Sequence, residues 1–183
     1  MNRNGNSFDS VSLTKKDIED VFRNHKDSCA TVRCLALDIS EGMESLSLFM
    51  QRHTSVVCPE CRSVCCINRH SYHTFDDIVY IYATGEKIPL HKTDIDDSAP
   101  CQFLGNGGCT MPRTIRPYRC NWYFCVSLLD HIMEHNSNRQ YRLFISLLQQ
   151  ITVKRQMLME EYVSAVKKTA VPHSRKSDNF LYY

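Results

Sequence analysis

The sequence predicts a mainly α fold that ends in a long C-terminal helix, and three features indicate this class. In several segments, apolar residues recur at the three- and four-residue spacing of an amphipathic helix. Residues that favour helix starts stand before two of these segments. Gly and Pro number only six each among 183 residues, so long stretches of coil are not expected.

N-terminal helices are expected within residues 12–54. Thr14 precedes the first helical pattern and Asp17 follows three residues later, which is the arrangement of a capping box. A second helix is expected through residues 34–53, where Gly42 is a weak point because glycine has a low helix propensity.

A third helix is predicted after Thr74, which can cap it together with Asp77. Gly85 can end this helix, because glycine readily adopts the left-handed conformation of a C-cap. The sequence GNGG at residues 105–108 predicts a turn.

Further helices are expected over residues 121–135 and 140–168, with an interruption at residues 136–138. The longer one carries an apolar stripe that indicates packing against a core. The stripe consists of Leu143, Leu147, Leu148, Ile151, Leu158, Tyr162 and Val166.

These elements predict one domain over residues 1–183, since a chain of this length can bury a full core and shows no internal repeat. N-terminal helices in residues 12–54 and C-terminal helices in residues 126–170 would flank a cysteine-rich core at residues 55–125.

Cysteine is the anomaly of the composition, with ten residues, eight of them in two clusters. No apolar segment typical of a signal peptide opens the chain, and no stretch approaches the ~20 apolar residues of a membrane span. A cytoplasmic location is therefore expected, where thiols stay reduced, and a secreted disulfide-bonded domain is the alternative. Clustered reduced cysteines typically bind metal. The predicted metal ligands are Cys58, Cys61, Cys65, Cys66, Cys101, Cys109, Cys120 and Cys125.

The first cluster fits a helix that begins at Pro59, because proline is tolerated at the first helical position. Cys58, Cys61 and Cys65 would then share one helical face. Cys66 would point toward the edge of that face. In the alternative, a knuckle loop, Cys58 and Cys61 still form a chelating pair.

Two further cysteines and three histidines are not expected to bind metal. Cys29 and Cys34 lie upstream in a helical pattern, where a cysteine usually acts as a small buried apolar residue. His53, His70 and His73 flank the first cluster, but such histidines more often face solvent or bind backbone groups.

Residues 101–125 contain arginines but no acidic residue, which fits an anionic metal–thiolate site. Pro117 biases Arg116 toward an extended conformation. Arg116 is therefore predicted to contact the cofactor, donating to sulfur or to a carboxylate such as Asp76 or Asp77. A phosphate site is the alternative, although a net charge of +2 does not favour nucleic acid. The arginines are Arg113, Arg116 and Arg119.

Three stretches in this order, CPECRSVCC, TFDDIVYIYATGEKIP and CQFLGNGGCTMPRTIRPYRC, resemble the CxxCxxCC cysteine-cluster family, also called YkgJ-like. The resemblance covers residues 55–125 and implies a zinc- or iron-chelating domain. The family also includes proteins that resemble flagellin lysine N-methylases. The matching positions are Cys58, Cys61, Cys65, Cys66, Cys101, Leu104, Cys109, Arg116, Pro117 and Cys120.

Zinc and an iron–sulfur cluster both take four cysteine ligands. Three cysteines on one short segment with a distant last ligand, Cys109 or Cys120, favour an iron–sulfur cluster. The two CxxC pairs that are typical of a zinc ribbon are absent, which also favours iron–sulfur over zinc. Three functions stay open: a metal-binding protein, a cluster-containing enzyme of methyltransferase-like or oxidoreductase type, and a zinc-based interaction or nucleic-acid module. A metal ion is the expected partner, a protein partner stays open, and neither a membrane nor a nucleic acid is expected.

Overall fold

The computed structural model describes residues 14–61 and 64–169, and over these residues it is 65% helical and 4% strand. The predicted mainly α class with a long C-terminal helix is confirmed. The parts of the predicted domain at residues 1–13 and 170–183 lie outside the described residues. The α-helices of the described part are α1 (Lys15–Asn24), α2 (Ala30–Val57), α3 (Phe75–Thr84), α4 (Arg119–Trp122), α5 (Val126–His135) and α6 (Asn138–Thr169).

Short elements lie between α2 and α4. An antiparallel hairpin pairs β1 (Leu104–Gly105) with β2 (Gly108–Cys109), and the predicted turn at residues 105–108 closes it. Single 3-10 turns occur at Asn68–His70 and Arg113–Ile115.

Both predicted capping boxes form. The Thr14 side chain accepts a hydrogen bond from the Asp17 N–H, and the Asp17 carboxylate accepts one from the Thr14 N–H. Thr74 and Asp77 repeat this arrangement at the start of α3. Gly85 ends α3 with a φ of 80°, which is strained for residues other than glycine.

The core lies chiefly between α2 and α6. Helix α2 runs unbroken through Gly42, where a Cβ atom would lie only 3.0 Å from Ile151 Cγ1 of α6. The glycine therefore lets the two helices approach closely, and the predicted weak point is a packing contact. Apolar side chains of α1, α3 and α5 complete this core.

The predicted stripe of α6 is largely confirmed, except at its first residue. Leu148, Ile151, Leu158 and Tyr162 are buried, and Leu147 and Val166 are partly buried against the core. Leu143 is 61% exposed, so its assignment to the core was wrong, and Phe144 is buried instead. The helical period explains the error, because position 144 lies one turn before 148 on the same face.

The single helix predicted over residues 121–135 is wrong. Tyr123 and Cys125 have extended backbones and separate α4 from α5. In this break Phe124 packs its ring against Phe144, with 5.6 Å between ring centres, so a tertiary contact replaces helical continuation. The predicted interruption between α5 and α6 is confirmed.

Within the described part of the chain, we find no helix with both the length and the apolar character required to cross a membrane.

Candidate metal centre

A cavity of about 230 Å³ brings the two cysteine clusters together. It lies between the end of α2, the loop that follows it, the β-hairpin and the starts of α4 and α5. Arg113, Arg116, Arg119 and His70 also line it. Seven of the eight clustered cysteines line its wall: Cys58, Cys65, Cys66, Cys101, Cys109, Cys120 and Cys125.

The helix predicted to begin at Pro59 is wrong. Cys58 is the C-cap of α2, and its N–H donates to the Thr54 carbonyl at 3.0 Å. Pro59 has no N–H and cannot continue the helical ladder, so α2 ends there. The Cys61 N–H donates to the Cys58 carbonyl at 3.3 Å and closes a turn, which is the predicted knuckle alternative for this pair. Cys58, Cys61 and Cys65 therefore do not share a helical face.

Backbone hydrogen bonds connect the first cluster to the second. The Cys101 N–H donates to the Cys66 carbonyl at 2.8 Å, next to a bridge between Ile67 and Pro100. The hairpin then returns the chain, so that Cys109 pairs with Leu104, three residues after Cys101. Cys120 lies in α4 and Cys125 is the N-cap of α5.

Around the end of α2, a first group of thiols shares one environment. Burial raises the pKa of the Cys58 thiol, and the nearby thiols of Cys65, Cys125 and Cys61 raise it further. Burial likewise raises the pKa of Cys65, with Cys125 and Cys61 acting in the same direction. These four cysteines form the α2 group.

A second group lies at the hairpin. Burial raises the pKa of Cys120 to about 11, and Cys109 and Cys101 add to the shift. Burial raises the pKa of Cys66 to about 12, with contributions from Cys65 and Cys120. Part of Cys66 is exposed to solvent, but the residue also lines the cavity wall, where burial disfavours the charged thiolate and so raises its pKa. Cys66, Cys101, Cys109 and Cys120 form the hairpin group, and Cys66 borders the α2 group.

Arg113 is the most deeply buried of the three arginines at 7% exposure. Its Nη1 donates to Asn121 Oδ1 at 3.1 Å, but its Nε is buried without a hydrogen-bond partner. Burial lowers the pKa of Arg113 to about 10 and neighbouring Arg116 lowers it further, whereas the nearby Cys109 thiol opposes the shift. A buried cation with an unused donor beside these thiols fits a site that holds an anionic metal–thiolate group.

Arg116 lines the cavity, but its hydrogen bonds go to backbone carbonyls. Nε donates to the Met111 carbonyl at 2.9 Å, and Nη2 donates to the Cys109 carbonyl at 3.3 Å. Its own backbone is extended before Pro117, as predicted. Arg116 thus holds the end of the hairpin in place, and the carboxylate contact expected with Asp76 or Asp77 is not among its hydrogen bonds.

Asp77 has another partner, which the sequence did not indicate. Its Oδ1 accepts from Arg155 Nη2 of α6 at 2.7 Å and from the Tyr118 N–H at 3.1 Å. The Arg155 guanidinium also lies 4.4 Å from the centre of the Tyr118 ring. The ion pair is almost fully buried, with the Arg155 side chain 11% and the Asp77 side chain 3% exposed. It fixes the segment that carries Cys120 to both α3 and α6.

The histidines and the upstream cysteines largely follow expectation. His73 Nε2 lies 2.8 Å from the Ile115 carbonyl, and His70 Nδ1 lies 3.4 Å from the Cys65 carbonyl. His53 is buried, with its Nδ1 3.1 Å from Nδ1 of His131 on α5. Cys29 is fully buried as predicted, but Cys34 is exposed on α2, so its assignment to the core was wrong.

In residues 14–61 and 64–169, no three His, Cys, Asp or Glu side chains are already placed to hold one metal ion. The cavity brings seven of the clustered cysteines into one neighbourhood without placing them as a ligand set.

No family model matches the chain, and neither the curated proteins nor the solved structures contain a significant match to it. The resemblance to the CxxCxxCC family stays a prediction that rests on the order of the motifs.

Proposed function

We propose that this chain is a metal-binding protein that holds an iron–sulfur cluster or zinc through its clustered cysteines. One observation carries the proposal: seven of the eight clustered cysteines, from segments far apart in sequence, line a single cavity. A cysteine that serves only as a small apolar residue has no reason to gather with six others.

The cations around the cavity support the same proposal. Four thiolates on one metal centre carry net negative charge, which is costly to bury without positive neighbours or hydrogen-bond donors. Arg113, Arg116 and Arg119 line the cavity, and the buried Nε of Arg113 has no partner of its own. An anionic group bound here would give that donor an acceptor.

The role of the residues toward the metal follows from their chemistry. The cysteines would supply thiolate ligands, and the resident metal would supply either a structural cross-link or electron transfer. Burial raises the pKa of the Cys66 and Cys120 thiols, so binding must displace their protons. Affinity should therefore fall as the pH falls. A reducing cytoplasm, where these thiols remain free, is the compartment that suits this function.

Metal content after purification without oxygen is the direct test. We expect bound iron and inorganic sulfide in similar amounts, with visible absorption, or bound zinc in a colourless protein. Cys120→Ser should lose metal, whereas Cys34→Ser, at an exposed position outside the cavity wall, should keep it. A protein that binds neither iron nor zinc under these conditions, or a Cys34→Ser variant that loses as much as Cys120→Ser, would contradict the proposal.

Variants in the two groups determine how many sites there are. Cys58→Ser removes a thiol of the α2 group, and Cys120→Ser removes one of the hairpin group. If each variant loses only part of the metal, each group holds its own site. If both variants lose all of it, the two groups share one centre, and if only one variant does, that group alone holds the site.

Removing the metal should also lower the melting temperature. The site would join segments that the chain separates by more than thirty residues, so the free energy of binding contributes to folding. We expect a marked drop after verified removal of the metal, measured by circular dichroism at one protein concentration. An unchanged melting temperature would mean that the cavity forms without help from a ligand.

A further inference from the structure

A second cavity, of about 610 Å³, lies between the start of α3, residues 117–122 and α6. Its volume lies in the range of about 300–1,000 Å³ that is typical of small-molecule sites. We call it the arginine groove, and it is lined by Arg69, Tyr72, Tyr118, Arg119, Trp122 and Arg155, among others.

The charges that line the arginine groove leave one net positive charge, because three arginines face two aspartates, Asp76 and Asp77. Arg155 and Asp77 neutralise each other in the buried ion pair and form a fixed floor. Arg69 and Arg119 are exposed, and neither forms an ion pair with any residue that the structure describes. The Arg119 guanidinium lies 5.7 Å from the centre of the Tyr123 ring, a contact that leaves its N–H donors unused. Both guanidinium groups can therefore donate to an oxyanion.

The aromatic side chains of the groove differ in what they can still bind. Tyr72 stacks on His91, with 5.3 Å between ring centres, and Tyr118 is covered by the Arg155 guanidinium. Trp122 is 47% exposed, and no aromatic or cationic group of the described chain lies against its ring. Its indole is therefore an open stacking surface beside Arg119.

We propose that the arginine groove binds a small organic anion that combines an aromatic ring with a phosphate or carboxylate group. The ring stacks on Trp122, and the oxyanion accepts hydrogen bonds from Arg69 and Arg119, whose planar forks match both groups. One net positive charge suits a ligand with one or two negative charges better than a polyanion such as nucleic acid.

The groove adjoins the cysteine cavity but does not depend on it. His70 and Arg119 line both cavities, so a bound ligand would lie next to the proposed metal site. The stacking surface and Arg69 belong to the groove alone, and the proposal holds whether or not the cysteines bind metal.

Trp122 is the only tryptophan in the chain, so its fluorescence reports directly on the groove. Adenosine monophosphate, O-phosphotyrosine and benzoate are three probes that carry both a ring and an oxyanion. The matched halves are adenosine and inorganic phosphate for adenosine monophosphate, tyrosine and inorganic phosphate for O-phosphotyrosine, and benzyl alcohol and acetate for benzoate. We expect a saturable change with at least one complete probe, and binding of its halves that is roughly tenfold weaker or more. The probe that binds most tightly shows whether the groove prefers a purine or a phenyl ring, and a phosphate or a carboxylate group.

Two arginine variants separate specific from general charge effects. Arg69→Met removes a groove cation and should weaken the best probe roughly tenfold or more, since hydrogen bonds to charged groups are strong. Arg139→Met removes an exposed arginine at the start of α6, outside the groove, and should leave affinity unchanged. Calorimetry on Trp122→Leu, which lacks the fluorescent reporter, should show a similar loss.

The proposal is overturned if no complete probe gives a saturable change, if a half binds as tightly as its complete probe, or if the two arginine variants weaken binding equally. Metal content is measured on every variant. Arg69→Met should keep the metal content of the unchanged protein, so a failure of the groove and a failure of the metal site give different results.

Discussion

The interface between α2 and α6 buries apolar side chains, whereas the region from residue 64 to residue 125, outside α3, buries chiefly polar ones. Outside α3, only Met111 and Pro117 are fully buried apolar residues in this region. With α3 set aside in the same way, it contains four of the six buried polar or charged residues of the described chain: Asn68, Ser71, Arg113 and Asn121.

The difference shows how the two parts are stabilised. Apolar burial stabilises the α2–α6 interface without requiring exact partners. Outside α3 the cysteine-rich region has too little apolar burial for a core of its own, so we expect it to depend on its hydrogen bonds and on the metal that we propose its thiols bind. The first part should tolerate loss of metal, and the second should not.

The largest expected effect comes from breaking the connection between the two parts. Asp77→Ala leaves Arg155 buried without its partner and removes the carboxylate half of the α3 capping box, so we expect a loss of about 3–5 kcal/mol in the free energy of unfolding. The matched control is Asp38→Ala, because Asp38 pairs with the neighbouring α6 residue Lys154 at 2.6 Å but both side chains are largely exposed. That pair should contribute at most about 1 kcal/mol.

Urea denaturation of both variants, followed by circular dichroism, makes this comparison. Similar losses for Asp77→Ala and Asp38→Ala would mean that the buried pair does not connect the cysteine-rich region to α6. Asp77→Ala should also lower metal content, because the segment that it fixes carries Cys120.

A smaller effect should distinguish two of the three arginines that line the cysteine cavity, Arg113 and Arg116. Arg113 is buried beside the thiols and has an unused donor, so Arg113→Met should destabilise the metal-bound form by about 2–4 kcal/mol more than the metal-free form. Arg116 binds two backbone carbonyls that are present in both forms, so Arg116→Met should show the smaller difference between them. Arg116→Lys keeps the charge but loses the fork, and we expect it to be only partly tolerated.

Melting curves of both forms of each variant test this order. Equal shifts with and without metal for Arg113→Met would show that Arg113 is an ordinary structural arginine.

Local signals in the sequence predicted much of the fold. The capping box at Thr74 and Asp77 and the end of α3 at Gly85 involve residues close in sequence, so a short window contains all the information. The buried pair of Asp77 with Arg155 spans 78 residues, and no local pattern marks it. Leu143 was misplaced by one position, because a stripe defined by spacing alone does not fix which neighbouring residue faces the core.

The gathering of the two cysteine clusters was predictable from the sequence, and its geometry was not. Seven of the eight predicted cysteines line one cavity, and metal binding by them stays a prediction. Which thiols adjoin which depends on the path of the chain between the clusters, where backbone bonds such as that from Cys101 to Cys66 decide the outcome. The deeper burial of Arg113 depends on the same path, whereas the local signal of Pro117 pointed to Arg116.

The smallest expected effect concerns the contact of Gly42 with Ile151 in the α2–α6 interface. Gly42→Ala should gain about 1 kcal/mol of helix propensity but place a Cβ 3.0 Å from Ile151 Cγ1 and 3.1 Å from its Cδ1. Ile151 is itself buried, so it can yield only by displacing neighbours, and we expect a small net loss of stability. Ile151→Val removes Cδ1 and one of the two close contacts, so Gly42→Ala should be better tolerated in that background. The double-mutant cycle should give a coupling of about 0.5–1 kcal/mol.

Gly85→Ala is the control for this coupling. Nothing lies within 4 Å of its added Cβ, and its cost arises from a φ of 80° alone, so it should show no coupling to Ile151. A coupling at Gly42 no larger than that at Gly85 would mean that close approach of α2 and α6 is not what requires a glycine there.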